Sequence, residues 1–179
     1  MKLDSTGPDD IDRRILRLLQ DDCKTSLAKI GVAVGLSAPS VIERIRKLEH
    51  AGVIVGYHAL LDARRLGLDV TAFIGVSIGH PRMIPAFERH VEGLHDVLEC
   101  HHVTGEHSVL LKVKTSNTAS LEALISQIRS IDGVERTETI VVLSTHTERV
   151  QVALEEPATD RVSRPGRRNG TRARRPTAA

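Results

Sequence analysis

A change of hydrophobic period partway along the chain constrains its fold more than any other feature. Up to His50 the apolar residues recur at helical spacing, whereas from Val70 to Ile78 every second residue is apolar (Val70, Ala72, Ile74, Val76, Ile78). The first pattern builds helices that bury one stripe, and the second builds a strand with one face on a core. A chain of 179 residues has room for two small cores, one of each kind.

In the first half, Asp9 to Asp21 reads as a helix with Ile11, Ile15, Leu18 and Leu19 on one face and Arg13, Arg14 and Arg17 on another. Pro8 precedes it, and Asp9 is placed to cap it with Asp12 three residues on. A shorter helix fits Ser26 to Val34, with Leu27, Ile30 and Val34 inward, and Gly35 stands where a helix end wants a residue that tolerates positive φ. Gly31 falls in the middle of that helix, where glycine costs up to about 1 kcal/mol relative to alanine. Ser37 occupies an N-cap position before Ala38 and Pro39, so a third helix begins there. Val41, Ile45 and Leu48, with Ile42, turn its apolar side toward the first two helices, and Gly52 ends it. Val53 to Leu61 is β-branched enough to predict a strand, followed by a hinge over Asp62 to Leu68.

The second half predicts strand Val70 to Ile78, helix Met83 to Leu94, strands Asp96 to Val103 and His107 to Lys114, helix Thr118 to Ile131 and strand Glu135 to Thr145. The order βαββαβ is that of a ferredoxin-like unit, an antiparallel sheet with both helices on one face. Its other face would carry Phe73, Leu110 and Lys112, and such a half-apolar face is usually covered. The fold class is therefore α+β, in units spanning 8–61 and 69–147.

Charge is distributed unevenly. From Pro157 to the end there are seven arginines against Asp160 alone, or +6, while the whole chain is only +2, so the other 156 residues sum to −4. That tail, 157–179, is rich in Pro, Gly, Ser and Thr with no apolar period, which predicts disorder. An arginine-rich arm of this kind serves either as a phosphate attractant or as a solubilising extension. No apolar run approaches membrane-span length and the start carries no signal-peptide pattern, so a cytoplasmic protein with two reduced cysteines, Cys23 and Cys100, is expected.

Two helices joined by Gly35, Leu36 and Ser37 have the spacing of a helix-turn-helix, whose second helix enters the major groove of DNA by its N-terminal residues. In that docking Ser37, Pro39, Ser40, Glu43, Arg44, Arg46 and Lys47 form the DNA-contacting set. The serines donate to phosphates or base edges, and Arg44 and Lys47 face the groove with Arg46 on a flank. The alternative is a solvated helix face with an ordinary mixture of charges. With only Tyr57, Phe73 and Phe87 as aromatics, a stacking platform for single strands is not expected.

The segments PDDIDRRILRLLQ, GLSAPSVIERIRKLEHAGVIVGYHALLD and VLECHHVTGEHSVLLKVK resemble the leucine-responsive regulatory protein/AsnC family of transcription regulators, over about Pro8 to Thr147. The resemblance implies a winged helix-turn-helix with its wing beginning at Ala51 to Ile54, and a linking strand. It also implies a sensing domain through which homodimers assemble into tetramers or octamers on double-stranded DNA. It further implies a small effector, commonly an amino acid, between dimers at the loop Gly105, Glu106, His107 and Ser108, with Thr137, Thr139, Ile140 and Val141 of the last strand facing it. Many members carry a second acidic residue and an aromatic where this chain has Ser108 and His107. Without the resemblance, the same loop reads as a tight hairpin turn.

Cys100, His101, His102, His107 and His95 invite a metal reading, but neighbours in a strand point to opposite faces, so no metal site is expected. Nothing in the sequence calls for a cofactor or catalysis, since no Walker loop, dinucleotide fingerprint or nucleophile elbow is present. The expected function is a sequence-specific regulator that answers to an effector. The rivals are an enzyme similar to the sirohaem decarboxylases, which share the two-domain plan, and an architectural nucleoid protein without sequence choice.

Overall fold

The computed structural model describes residues 7–154, in two compact units. The arginine-rich tail lies outside the described residues.

The first unit contains α1 (Asp10–Asp21), α2 (Leu27–Val34) and α3 (Ala38–His50). α1 and α3 begin on the caps their sequences predict, while Ser26, expected as the first residue of α2, caps it instead. Asp9 and Asp12 form a reciprocal capping box on α1, Ser26 caps α2, and Ser37 caps α3 ahead of Pro39 in the first turn. Ile15, Ile30, Val34, Val41 and Ile45 meet in one core, with Ile11, Leu18, Leu19 and Leu36 packed around it. Leu27, expected inward, is instead half exposed at the first position of α2.

The turn between α2 and α3 explains the glycine within α2. Gly35 adopts φ +75°, and the Leu36 N–H bonds the Gly31 carbonyl at 2.9 Å. A Cβ on Gly31 would lie 2.5 Å from the Leu36 carbonyl oxygen, so only glycine lets the chain fold back this closely.

After α3 the chain departs from expectation. The N–H groups of Val53 and Ile54 both turn back to the Leu48 carbonyl, at 2.9 and 3.2 Å, and no strand forms over Val53 to Leu61. The wing strand expected from Ala51 to Ile54 is therefore not formed among the described residues. Branched residues stabilise a strand only through a neighbouring ladder, and no described segment pairs with this one. Val55, Leu60 and Leu61 are exposed in consequence. Tyr57 holds the exit in place by donating to Glu49 Oε1 at 2.9 Å, and burial together with that carboxylate pushes its phenol up to about 12. The expected hinge holds a 3-10 turn, Arg64–Leu66.

The second unit follows the predicted order: β1 (Val70–Ile78), α4 (Ile84–Glu92), β2 (Val97–His102), β3 (Val109–Thr115), α5 (Thr118–Arg129) and β4 (Val134–Val141). The strands lie in the order β2-β3-β1-β4, every pair antiparallel. Ala72, Ile74 and Val76 of β1 and Val109, Leu111 and Val113 of β3 pack on Phe87 and Val91 of α4 and on Leu121, Leu124 and Ile128 of α5. Both helices thus cover one face, and Phe73, Leu110 and Lys112 lie on the other.

Candidate functional site

The predicted residues fall in two groups, one on α3 and one at the β2–β3 loop. On α3 the buried stripe is Val41, Ile45 and Leu48. At 3.6 residues per turn, Pro39 and Glu43 point most directly away from that stripe, with Arg46 on one side of them and Lys47 and then Ser40 on the other. Arg46 thus lies on a flank of the outward face, with Lys47 on the other flank, and both are exposed. Glu43 and Lys47 are exposed and make an i,i+4 pair at 3.2 Å, which is too weak to commit either. Ser37 and Ser40 are hydroxyl to hydroxyl at 2.9 Å at the start of the helix.

Arg44 lies elsewhere. Its Nη1 donates to Asp9 Oδ2 at 2.7 Å and to Asp12 Oδ1 at 2.8 Å, so it grips both carboxylates of the α1 capping box and fixes α3 against the start of α1. Burial opposes ionisation of Asp9, but the Asp12 N–H and the Arg44 guanidinium outweigh it and hold the carboxyl below its usual range. The Arg44 guanidinium is correspondingly held more firmly protonated by Asp9 and Asp12. Arg44 is therefore turned inward, toward α1, and does not share the outward face with Arg46.

At the other site, Gly105 has φ +121° and turns the chain from β2 into β3. Ser108 fastens the loop to β1: its N–H bonds the Val76 carbonyl at 2.9 Å, and its Oγ accepts from the Ile78 N–H at 3.2 Å. His107 lays its ring over Gly75, where a Cβ would lie 2.3 Å from the imidazole Cδ2. Its Nδ1 is 3.3 Å from Ser77 Oγ and its Nε2 3.3 Å from Glu138 Oε2. Arg136 completes the group, 2.8 Å from Glu106 Oε1 and 3.5 Å from Glu138 Oε2.

Register decides which residues of β4 join this group. Thr137, Thr139 and Val141 pair with Val76, Ile74 and Ala72, so they share the helix-covered face and are not brought to the loop's side chains. Thr137 instead lines a depression of about 380 Å³ with Arg129, Val134, Glu135 and Arg136. Ile140 does lie on the open face, opposite Phe73 and 58% exposed. The residues the sequence reading missed, Gly75, Ser77, Arg136 and Glu138, come in by the same alternation and required only the pairing of β1 with β4 to be found.

Among the described residues, the group able to bring three ligand atoms together is Glu106, His107 and Glu138, whose carboxylates Arg136 already bridges. The other residues considered for a metal separate: His101 pairs with Glu99 on the open face, while Cys100 and His102 share the opposite face with Leu111 and Val109. Cys100 has its thiol pushed up by burial and by Glu88, and both cysteines are free. Further along the open face Lys112 lies between Glu148, at 2.6 Å, and Glu99, at 3.1 Å, and Lys114 approaches Glu148 at 3.8 Å. No helix among the described residues is long and apolar enough to cross a membrane.

Comparison with known proteins agrees with both units. Residues 9–49 match the AsnC-type helix-turn-helix domain, and residues 71–152 match the Lrp/AsnC ligand binding domain. The HTH-type transcriptional regulator FL11 of Pyrococcus abyssi is 34% identical over 146 residues, 82% of this chain and 96% of that protein. The structure of AsnC from Escherichia coli superposes with a TM-score of 0.75 at 31% identity, covering 80% of this chain and 97% of that one. The feast or famine regulatory protein of Mycobacterium tuberculosis, in complex with L-methionine, gives 0.73 at 33% identity, covering 80% and 97%. The chain belongs to the Lrp/AsnC family of HTH-type transcriptional regulators.

Proposed function

We propose that the outward face of α3 docks in the major groove of duplex DNA and that an amino acid, bound beside the β2–β3 loop, changes the affinity of that docking. The observation that carries the first part is the division of cations on α3. Arg44 is spent on α1, which leaves Arg46 and Lys47 outward with Ser37, Pro39, Ser40 and Glu43 near the helix start. Phosphates and base edges take such donors. The solved relative in complex with L-methionine supports the second part.

The chemistry of the loop suits a zwitterion. Arg136 and the carboxylates of Glu106 and Glu138 set one cation against two anions, a net −1, and an amino acid brings one charge of each sign to pair with both kinds. It can replace one ion pair by two without a change of net charge. The exposed Ile140, with Phe73 beside it on the open sheet face, supports homodimers that assemble further, and no catalytic step is assigned. The protein would act in the cytoplasm, on the nucleoid.

Selection of bound fragments from a random duplex pool, followed by footprinting, tests the reading. One discrete protected site is expected; uniform protection would make this an architectural protein instead. A thermal-shift screen of the amino acids should find one that raises the melting temperature, because a ligand held only by the folded state stabilises it.

A further inference from the structure

We infer that the ligand taken beside the β2–β3 loop is an amino acid with a cationic side chain, of the lysine and arginine class, selected by two carboxylates that share one guanidinium. The inference rests on the reading of that loop as an effector site and names which amino acids the site takes. Glu106, His107 and Glu138 each offer an atom that lies within 4.8 Å of the other two. Arg136 pairs with both carboxylates, at 2.8 Å through Nη1 and 3.5 Å through Nη2. With histidine counted neutral, one negative charge is left over. Elsewhere on the open face there is no such excess, because Lys112 and Lys114 stand against Glu99 and Glu148, two of each sign. In the depression beside Arg136, Arg129 and Glu135 are again one of each.

The contacts inside the group show where the excess is available. Arg136 reaches Glu106 at Oε1, while Arg136 and His107 both reach Glu138 at Oε2. Among the described residues, Glu106 Oε2 and Glu138 Oε1 meet no donor. Each carboxylate therefore keeps one oxygen for a donor from outside, and an ionised carboxylate can only accept. Arg136 keeps N–H donors of its own for an incoming carboxylate. Two anions and one cation are matched, charge for charge, by a molecule that carries two cations and one carboxylate, which is the inventory of lysine, ornithine and arginine at neutral pH. A neutral amino acid leaves the excess as it found it, and glutamate or aspartate adds to it at close range. Glu106 is the carboxylate that meets the side chain: it stands on the loop, 65% exposed, with one ion pair, whereas Glu138 is fixed on β4 and tied to His107 as well.

Calorimetric titration of the full chain with L-lysine and with L-norleucine, which is lysine without its ε-ammonium, tests the selection. Lysine should bind about tenfold more tightly or better, the usual worth of one added hydrogen bond to a charged group. The ratio should shrink as salt rises, because the added contact joins partly exposed charges. L-Glutamate should bind more weakly than either. Glu106→Gln keeps the length of the side chain and removes the excess charge, so lysine and norleucine should then bind alike, while the unliganded melting temperature shows that the variant is folded. If a neutral amino acid binds the parent as tightly as lysine, the charge selection is overturned and the loop remains an effector site of another specificity. A lysine preference that survives Glu106→Gln overturns Glu106 as its source. If none of the standard amino acids binds, the effector reading itself falls.

Discussion

The outward face of α3 and the open face of the sheet both carry cations, and they treat them in opposite ways. On α3 one arginine is drawn inward to the α1 capping box, and the outward cations meet nothing stronger than one exposed i,i+4 pair. On the sheet, Lys112, Lys114 and Arg136 each lie within 4 Å of a carboxylate. Hydrogen bonding to Glu148, and then to Glu99, more than offsets burial and holds the Lys112 ammonium above its usual range, while Lys112 holds Glu148 below its own. A surface meant for a polyanion keeps its cations uncommitted, whereas one meant for an amino acid or a second copy of itself balances them in place.

The largest expected effect separates the two regions outright. Gly31→Val places a branched side chain where a Cβ already lies 2.5 Å from a backbone oxygen that cannot swing aside. The helical unit should lose about 3 kcal/mol, at the upper end of overpacking costs, and its five-residue core has little to spare. In a thermal melt followed by circular dichroism the helical transition should fall or vanish while the sheet unit's transition stays in place, and duplex binding should go with the first. A single transition that falls as a whole would mean that the two cores are not independent, and no shift at all would mean that the valine is accommodated.

A smaller effect distinguishes the inward from the outward cation on α3. Arg44→Ala should cost about 1 kcal/mol at neutral pH, a figure discounted because Asp9 is 53% exposed. Arg46→Ala should leave the unfolding midpoint alone and weaken duplex binding about tenfold, near 1.4 kcal/mol. Asp9 adds a pH signature. Its carboxyl is held lower in the folded than in the unfolded chain, so its contribution is fully present above the ordinary value of 3.8 and is lost as pH falls through the folded one. Urea titrations from pH 7 to pH 3 should therefore find the parent and Arg44→Ala converging at the acid end. A constant gap would assign the loss to packing of the arginine stem, and loss of DNA binding in Arg44→Ala at unchanged stability would return Arg44 to the groove.

These contrasts show what was legible in the sequence. Caps and alternation are local, so Asp9, Ser37, Gly35 and the run from Val70 to Ile78 could be read off directly. Arg44 could not, because its partners lie 35 and 32 residues away and a long flexible side chain on a helix flank can turn either way. Thr137 and Thr139 were assigned to the loop by resemblance, but which face of β4 meets His107 depends on the register with β1, which one strand's own sequence does not contain. The strand expected over Val53 to Leu61 failed for a related reason, since propensity describes a residue while a strand needs a partner.

The smallest effect bears on the balanced surface. His107 can lie across the sheet between Ser77 and Glu138 only because Gly75 presents no side chain there. Gly75→Ala puts a methyl 2.3 Å from the ring's Cδ2 and 2.7 Å from its Cγ, so the imidazole must leave Glu138. The ring is the far end of a movable side chain in a loop, so stability should change by well under 1 kcal/mol. The amino-acid response should nonetheless be lost, because the ring no longer completes the group with Glu106, Arg136 and Glu138. His107→Ala makes room for that methyl, so adding Gly75→Ala to it should change nothing further, a coupling that a double-mutant cycle on the ligand-induced melting shift measures. If Gly75→Ala weakens the response equally in both backgrounds, the glycine acts through the strand backbone, and the open face owes its ligand chemistry to residues other than His107.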